Sequence, residues 1–178
     1  IEDRTILVTI QHANSEVGTI QPVSEIGAIA REFGIPFHIE ATQTVGKIPL
    51  SVGALGCDLL ALSAHKFYGP KGVGALYIRR RTHLEPLLQG GGQEKGRRSG
   101  TLNVPGIIGL AAACRLAASD LDAERARLVA LRARLHEGIV EGIPGAYLNG
   151  HPDRRLPHNL HFSFEDVEGE ALILAMRR

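Results

Sequence analysis

Three short polar clusters stand at the ends of apolar runs: His12-Ala13-Asn14-Ser15-Glu16-Val17-Gly18, Glu40-Ala41-Thr42-Gln43 and Ser63-Ala64-His65-Lys66. Together they offer an amine, carboxylates, amides, hydroxyls and imidazoles. An amine at a partly desolvated strand end, with its pKa lowered, is what a Schiff-base lysine requires, because only the neutral form attacks a carbonyl. Lys66 suits that role. A carboxylate opposite it can pair with a protonated pyridine nitrogen and strengthen the ring as an electron sink, and Glu40 suits that one. Ser63 and His65 are fitted to hold a phosphate through hydrogen bonds, and Asn14 and Gln43 to hold a phenolic oxygen on the ring.

Each residue alone also has a plainer reading. Lys66 can be a solvated loop lysine, Glu40 a loop charge, and Ser63 or His65 a strand-end cap. It is the conjunction at neighbouring strand ends that favours chemistry. A metal reading of His12, His38 and His65 with Glu40 lacks any i, i+4 pair or short His/Cys spacing.

The elements that must position these clusters follow from hydrophobic periodicity. Thr5 to Ile10 reads as a strand, and Pro22 to Phe33 has helical apolar spacing through Val23, Ile26, Ile29, Ala30 and Phe33, with Gly34 after its end. Pro36 to Ile39 reads as a second strand, so strand, helix and strand form a βαβ unit with parallel strands. Asp58 to Ser63 is a third strand. Gly74 to Arg80 is a fourth, and its link from the third is too short for a parallel crossover, which predicts an antiparallel pairing. The fold class is therefore α/β, and ligands of such sheets sit at the carboxyl ends of parallel strands, where the clusters lie.

From Val104 to about Val140 the pattern is helical, with a break expected near Ser119-Asp120, where a new helix could be capped. Two weaker strands, Ala146 to Leu148 and Asn159 to Phe164, and a helix over Val167 to Arg178 complete the reading. Residues 1–119 are assigned to a larger sheet domain and 120–178 to a linking helix and a smaller α+β domain.

Composition sets the remaining bounds. The chain has 178 residues, 21 glycines, 4% aromatics and a formal net charge of +1, as in ordinary α/β proteins. So mild a charge gives no reason to expect a nucleic-acid partner, despite Arg79-Arg80-Arg81 and Arg97-Arg98. No uninterrupted apolar run approaches about 20 residues, so no membrane partner is expected, and a cytoplasmic setting is the default. Two cysteines, Cys57 and Cys114, lack disulfide or zinc spacing and read as small buried hydrophobes.

The three clusters, extended to Ser63-Ala-His65-Lys66-Phe-Tyr-Gly-Pro-Lys-Gly72 and joined by Gly90-Gly-Gly-Gln-Glu-Lys-Gly96 through Arg98-Ser-Gly-Thr101, resemble the cysteine desulfurases of the iron–sulfur cluster and nitrogen-fixation type. These lie within the class V aminotransferase superfamily. The resemblance implies the fold type I architecture of enzymes that use pyridoxal 5'-phosphate (PLP), with Lys66 carrying the cofactor. It implies that Asn14 and Gln43 contact the ring region, Ser63 and His65 the phosphate, and that Lys66 and His65 move protons. It also implies a homodimer in which Thr101 reaches the phosphate of the partner subunit's cofactor, L-cysteine as substrate, and sulfur-acceptor or scaffold proteins as partners.

Three departures qualify the match. Where the family has aspartate facing the pyridine nitrogen, this chain has Glu40. Charge is kept, but the extra methylene adds a bond of about 1.5 Å, and misplacement by about 1 Å can cost on the order of a hundredfold in rate. The family's ring-stacking histidine and a further phosphate-binding threonine fall before residue 1. Its reactive cysteine and substrate-binding arginine fall after residue 178, so these residues alone are expected not to turn over cysteine. Rival readings are a class V aminotransferase or selenocysteine lyase, and a non-catalytic dimerising remnant.

Overall fold

A computed structural model describes residues 1–176 and divides the chain into two compact units. The first comprises Ile1–His12 and Gln21–Leu121. Its sheet has the order β1 (Val8–Gln11), β2 (Phe37–Glu40), β3 (Leu59–Ser63), β4 (Gly74–Ile78). β1, β2 and β3 run parallel and β4 is antiparallel to β3, as the link length requires. Between β1 and β2 lies helix α1 (Val23–Glu32), and a single turn, α2 (Val52–Leu55), precedes β3.

Helix α1 lies close on the sheet because its contact face is small. Val23, Gly27 and Ala30 are buried, and a Cβ on Gly27 would stand 2.9 Å from the Leu55 carbonyl and 3.0 Å from the Phe37 ring. Ile29 and Phe33, expected on the buried stripe, are exposed instead. Phe37, Ile39, Ala41, Cys57 and Leu60 complete the core against this face. Asp58 pins three strands: its carboxylate accepts the Phe37 amide at 2.9 Å and meets Arg79 Nε at 3.1 Å, while Arg79 also donates to the Cys57 carbonyl.

Helix α3 (Val104–Gly142) is continuous for 39 residues, and the break expected at Ser119-Asp120 is absent. The Ser119 hydroxyl donates back to the Leu116 carbonyl at 2.9 Å, so it joins the helix ladder rather than capping a new start. Cys57 is buried as expected, and burial pushes its thiol up; Cys114 is exposed on α3, contrary to expectation. By length and composition alone α3 is apolar enough to cross a bilayer, yet its Leu110 and Ala113 are buried against Ala64 and Phe67.

The second unit comprises Ala13–Ile20 and Asp122–Arg178. β5 (Ala146–Leu148) and β6 (Phe162–Phe164) pair antiparallel, and α4 spans Gly169–Ala175. The last two positions of the expected helix, 177 and 178, lie outside the described residues. The segment Ala13–Ile20, expected with the first unit, groups here because its backbone bonds are made here. Ile20 donates to the Arg154 carbonyl and Leu156 donates to the Gly18 carbonyl, each at 2.9 Å.

Candidate functional site

Lys66 is presented by a one-turn 3-10 helix, Ala64–Phe67, that follows β3 directly. Ala64 and Phe67, three residues apart, are buried against α3, which turns His65 and Lys66 outward. Tyr68 closes the turn at φ 67°, and the Gly69 amide donates to the Ala64 carbonyl at 2.9 Å. A Cβ on Gly69 would stand 2.8 Å from the Ala64 Cβ, so only glycine lets the chain fold back this tightly. Lys66 is therefore held by a well-anchored turn while its side chain is exposed. The partial desolvation expected of it is not supplied by the described residues of this unit.

Ser63 and His65 are brought together, with Ser63 Oγ 2.9 Å from His65 Nδ1. That contact leaves His65 Nε2 for another partner. Glu40 ends β2 in register with Ala61 of β3, one strand over from the Lys66 turn. Its carboxylate accepts the Thr42 amide at 2.8 Å, which shapes the bend that carries half-buried Gln43. Half-buried His38 lies on the same strand face as Glu40, its Nδ1 2.7 Å from Thr9 Oγ1. Burial draws its imidazole down, against the opposing pull of the Glu40 carboxylate.

Beneath this bend is a buried pair that sequence reasoning did not single out. His12 is only 5% exposed, its amide donates to the Glu40 carbonyl at 2.8 Å, and its Nδ1 lies 3.1 Å from Thr44 Oγ1. Thr44 Oγ1 donates its one proton to the Ala41 carbonyl at 3.1 Å, so Nδ1 of His12 must be the protonated nitrogen that donates to Thr44. Thr44 gave no signal in sequence, and His12 was visible only as a metal candidate.

Burial holds His12 below the ordinary imidazole value of 6.5. The unfolded chain therefore binds the extra proton at a higher pH than the folded one, and stability falls as pH drops below about 6.5, levelling off only below the folded pKa. We expect His12→Gln to flatten the dependence of the thermal midpoint on pH between about 7 and 5. A slope unchanged from the parent's would show that His12 does not titrate on unfolding.

Asn14 belongs to the second unit. Its Oδ1 accepts the amides of Glu16 and Val17 at 2.8 and 2.9 Å, so its amide oxygen is committed and its Nδ2 is the group left to donate. Thr101 is exposed, at the end of a loop folded on itself: Ser99 Oγ donates to the Leu88 carbonyl at 2.8 Å and the Gly100 amide to Gln93 Oε1 at 3.0 Å. Among the described residues no hydrogen bond joins Thr101 to the Lys66 turn.

Residues 1–178 match the family model described as aminotransferase class-V. The chain belongs to that family. Among curated relatives of the class-V chain, it is 54% identical over 170 residues to the cysteine desulfurase IscS of Dictyoglomus turgidum, covering 96% of this chain and 43% of the relative. It is 52% identical to the cysteine desulfurase IscS of Methanosarcina thermophila, covering 99% of this chain and 43% of that one. The chain thus spans less than half the length of these curated relatives. A solved NifS-like protein superposes with a TM-score of 0.91 at 43% identity over 97% of this chain and 47% of its own. A NifS-like protein from Rickettsia africae does so with a TM-score of 0.90 at 31% identity, over 96% and 47%. The mostly parallel sheet with flanking helices is thus the architecture of NifS-like proteins.

The donor set suits a phosphorylated pyridine aldehyde. An outward amine, an adjoining hydroxyl–imidazole pair 2.9 Å apart and a carboxylate on the neighbouring strand end match the aldehyde, phosphate and ring nitrogen in turn.

Proposed function

We propose that this chain is the cofactor-holding part of a PLP-dependent cysteine desulfurase, which converts L-cysteine to L-alanine and passes sulfur onward through an enzyme persulfide. The observation that carries the reading is the anchored turn that presents Lys66 beside the Ser63–His65 pair, one strand from Glu40. Its identity of about half to desulfurases supports the substrate assignment.

When bound, PLP supplies an electron sink for bond changes at the substrate α-carbon. Lys66 Nζ would hold the aldehyde carbon of PLP and would move a proton at the substrate carbon. Ser63 and His65 would hold the phosphate, and His65 would share in proton movement. Glu40 would pair with the ring nitrogen, and Asn14 Nδ2 and Gln43 are the donors that would serve its phenolic oxygen. Cys57 is not the sulfur acceptor, since it is buried and its thiol is pushed up.

The enzyme so read acts in the cytoplasm as a homodimer, with Thr101 reaching the phosphate bound by the partner subunit. It delivers sulfur for iron–sulfur cluster or thio-cofactor synthesis through acceptor or scaffold proteins. The test is to supply full-length protein with PLP, L-cysteine and a thiol reductant. Equimolar alanine and sulfide are expected; transfer of the amino group to a 2-oxo acid instead would favour an aminotransferase.

Glu40 gives a sharper expectation. Its carboxylate stands one methylene further from the backbone than aspartate's would, so Glu40→Asp should raise turnover by about tenfold, part of the on-the-order-of-hundredfold cost of a 1 Å misplacement. Steady-state kinetics checks this, and a variant no faster than the parent would show that this site is built around glutamate.

A further inference from the structure

The Asn14 turn is built on side chains from a distant stretch of sequence. Arg155 is only 4% exposed, and its guanidinium donates to the Val17 carbonyl at 3.0 Å, the His151 carbonyl at 3.3 Å, and the Asn159 carbonyl and Oδ1 at 3.1 and 3.2 Å. Asn159 Nδ2, oriented by that last bond, donates to the carbonyls of Ser15 at 3.4 Å and Glu16 at 2.8 Å. The fit is close: a Cβ on Gly18 would stand 2.3 Å from Asn159 Oδ1, and one on Gly150 2.6 Å from the Val17 carbonyl. Carbonyls 15, 16 and 17 are thus all satisfied from Arg155 and Asn159, while the amides of Glu16 and Val17 are satisfied by Asn14 Oδ1. Removing the Asn159 donor frees the carbonyls that fix the peptide planes of the turn, and Asn14 loses the two amides that orient its side chain.

We propose that Arg155 and Asn159 are positioning residues that hold the Asn14 turn so that Asn14 Nδ2, and not its oxygen, is presented to the cofactor ring. The inference rests on the reading that Asn14 faces that ring. The effect of Arg155 and Asn159 passes through the backbone of residues 15–17, and Asn159 is the more informative to change because it can be altered without removing the buried guanidinium.

Asn159→Asp keeps the acceptor for Arg155 and loses the donor to Ser15 and Glu16; Asn159→Ala loses both. In PLP-loaded full-length protein, hydrogen exchange at the Glu16 and Val17 amides should rise about tenfold in either variant while β2 amides are unchanged, because the opening is local. Losing a donor to a phenolate also disfavours its charged form. The pH midpoint of the visible PLP band should therefore move up by about one unit in Asn14→Ala, and in the same direction in both Asn159 variants. A purely structural role would lower stability and leave that midpoint in place.

Unchanged exchange at Glu16 and Val17 would overturn the proposal. So would raised exchange with the band unmoved, provided Asn14→Ala moves it. If Asn14→Ala leaves the midpoint unmoved, Asn14 has no ring contact and the inference falls with it, whereas a parent without any visible band would sink the PLP reading itself. Should Asn159→Ala fail to fold, the near-isosteric Asn159→Asp carries the test.

Discussion

Replacing Lys66 with alanine is expected to abolish the visible PLP band and to lower cysteine turnover by at least about a thousandfold. The reason is twofold: in the proposed function the amine would be both the covalent anchor for the aldehyde and the group that moves the substrate proton. His65, the adjacent candidate, is tied at Nδ1 to Ser63. The fold should not change, because Lys66 is exposed while the turn is anchored by Ala64 and Phe67. Exposed substitutions of this kind usually shift stability by no more than about 0.5 kcal/mol. The measurements are an absorbance spectrum with added PLP and a thermal melt of the same sample. A band that survives in Lys66→Ala with an unchanged melt would move the anchor to another lysine, and the whole site with it.

What could be read from sequence was what depends on local pattern. Strand periodicity located β1 to β4, and the shortness of the link between β3 and β4 decided its antiparallel sense. The clusters at the strand ends followed from that. What could not be read depends on contacts distant in the chain. Ala13–Ile20 looks like a loop leaving β1, and its bonds to residues 151–159 assign it to the second unit. Ser119-Asp120 carried a capping signature that α3 overrides, because a serine hydroxyl within a helix can bond to the preceding turn. Ile29 and Phe33 fit the helical stripe of α1, but the contact face is set by Gly27 and Ala30, whose smallness brings the helix onto Phe37. The exposure of Lys66 was illegible for a related reason: it follows from which two of four residues in a turn find an apolar surface on α3.

That same close contact predicts a large stability effect. Phe37 is 1% exposed and lies against Gly27 and the rest of the core. Truncating so large a buried ring to alanine costs about 3–5 kcal/mol, a large part of the roughly 5–15 kcal/mol that holds a typical domain folded. The helix cannot move in to fill the space, because α1 already approaches the Leu55 carbonyl as closely as a glycine permits. The loss should therefore fall near the upper end of that range. Strand β2 also carries Glu40, whose carbonyl receives the His12 amide, so loosening it should weaken PLP binding before global unfolding. A chemical denaturation series would compare Phe37→Ala with Ile29→Ala, which removes an exposed side chain from the same helix and should change stability by no more than about 0.5 kcal/mol. Equal losses in the two variants would mean that the core is not organised around the α1–β2 contact.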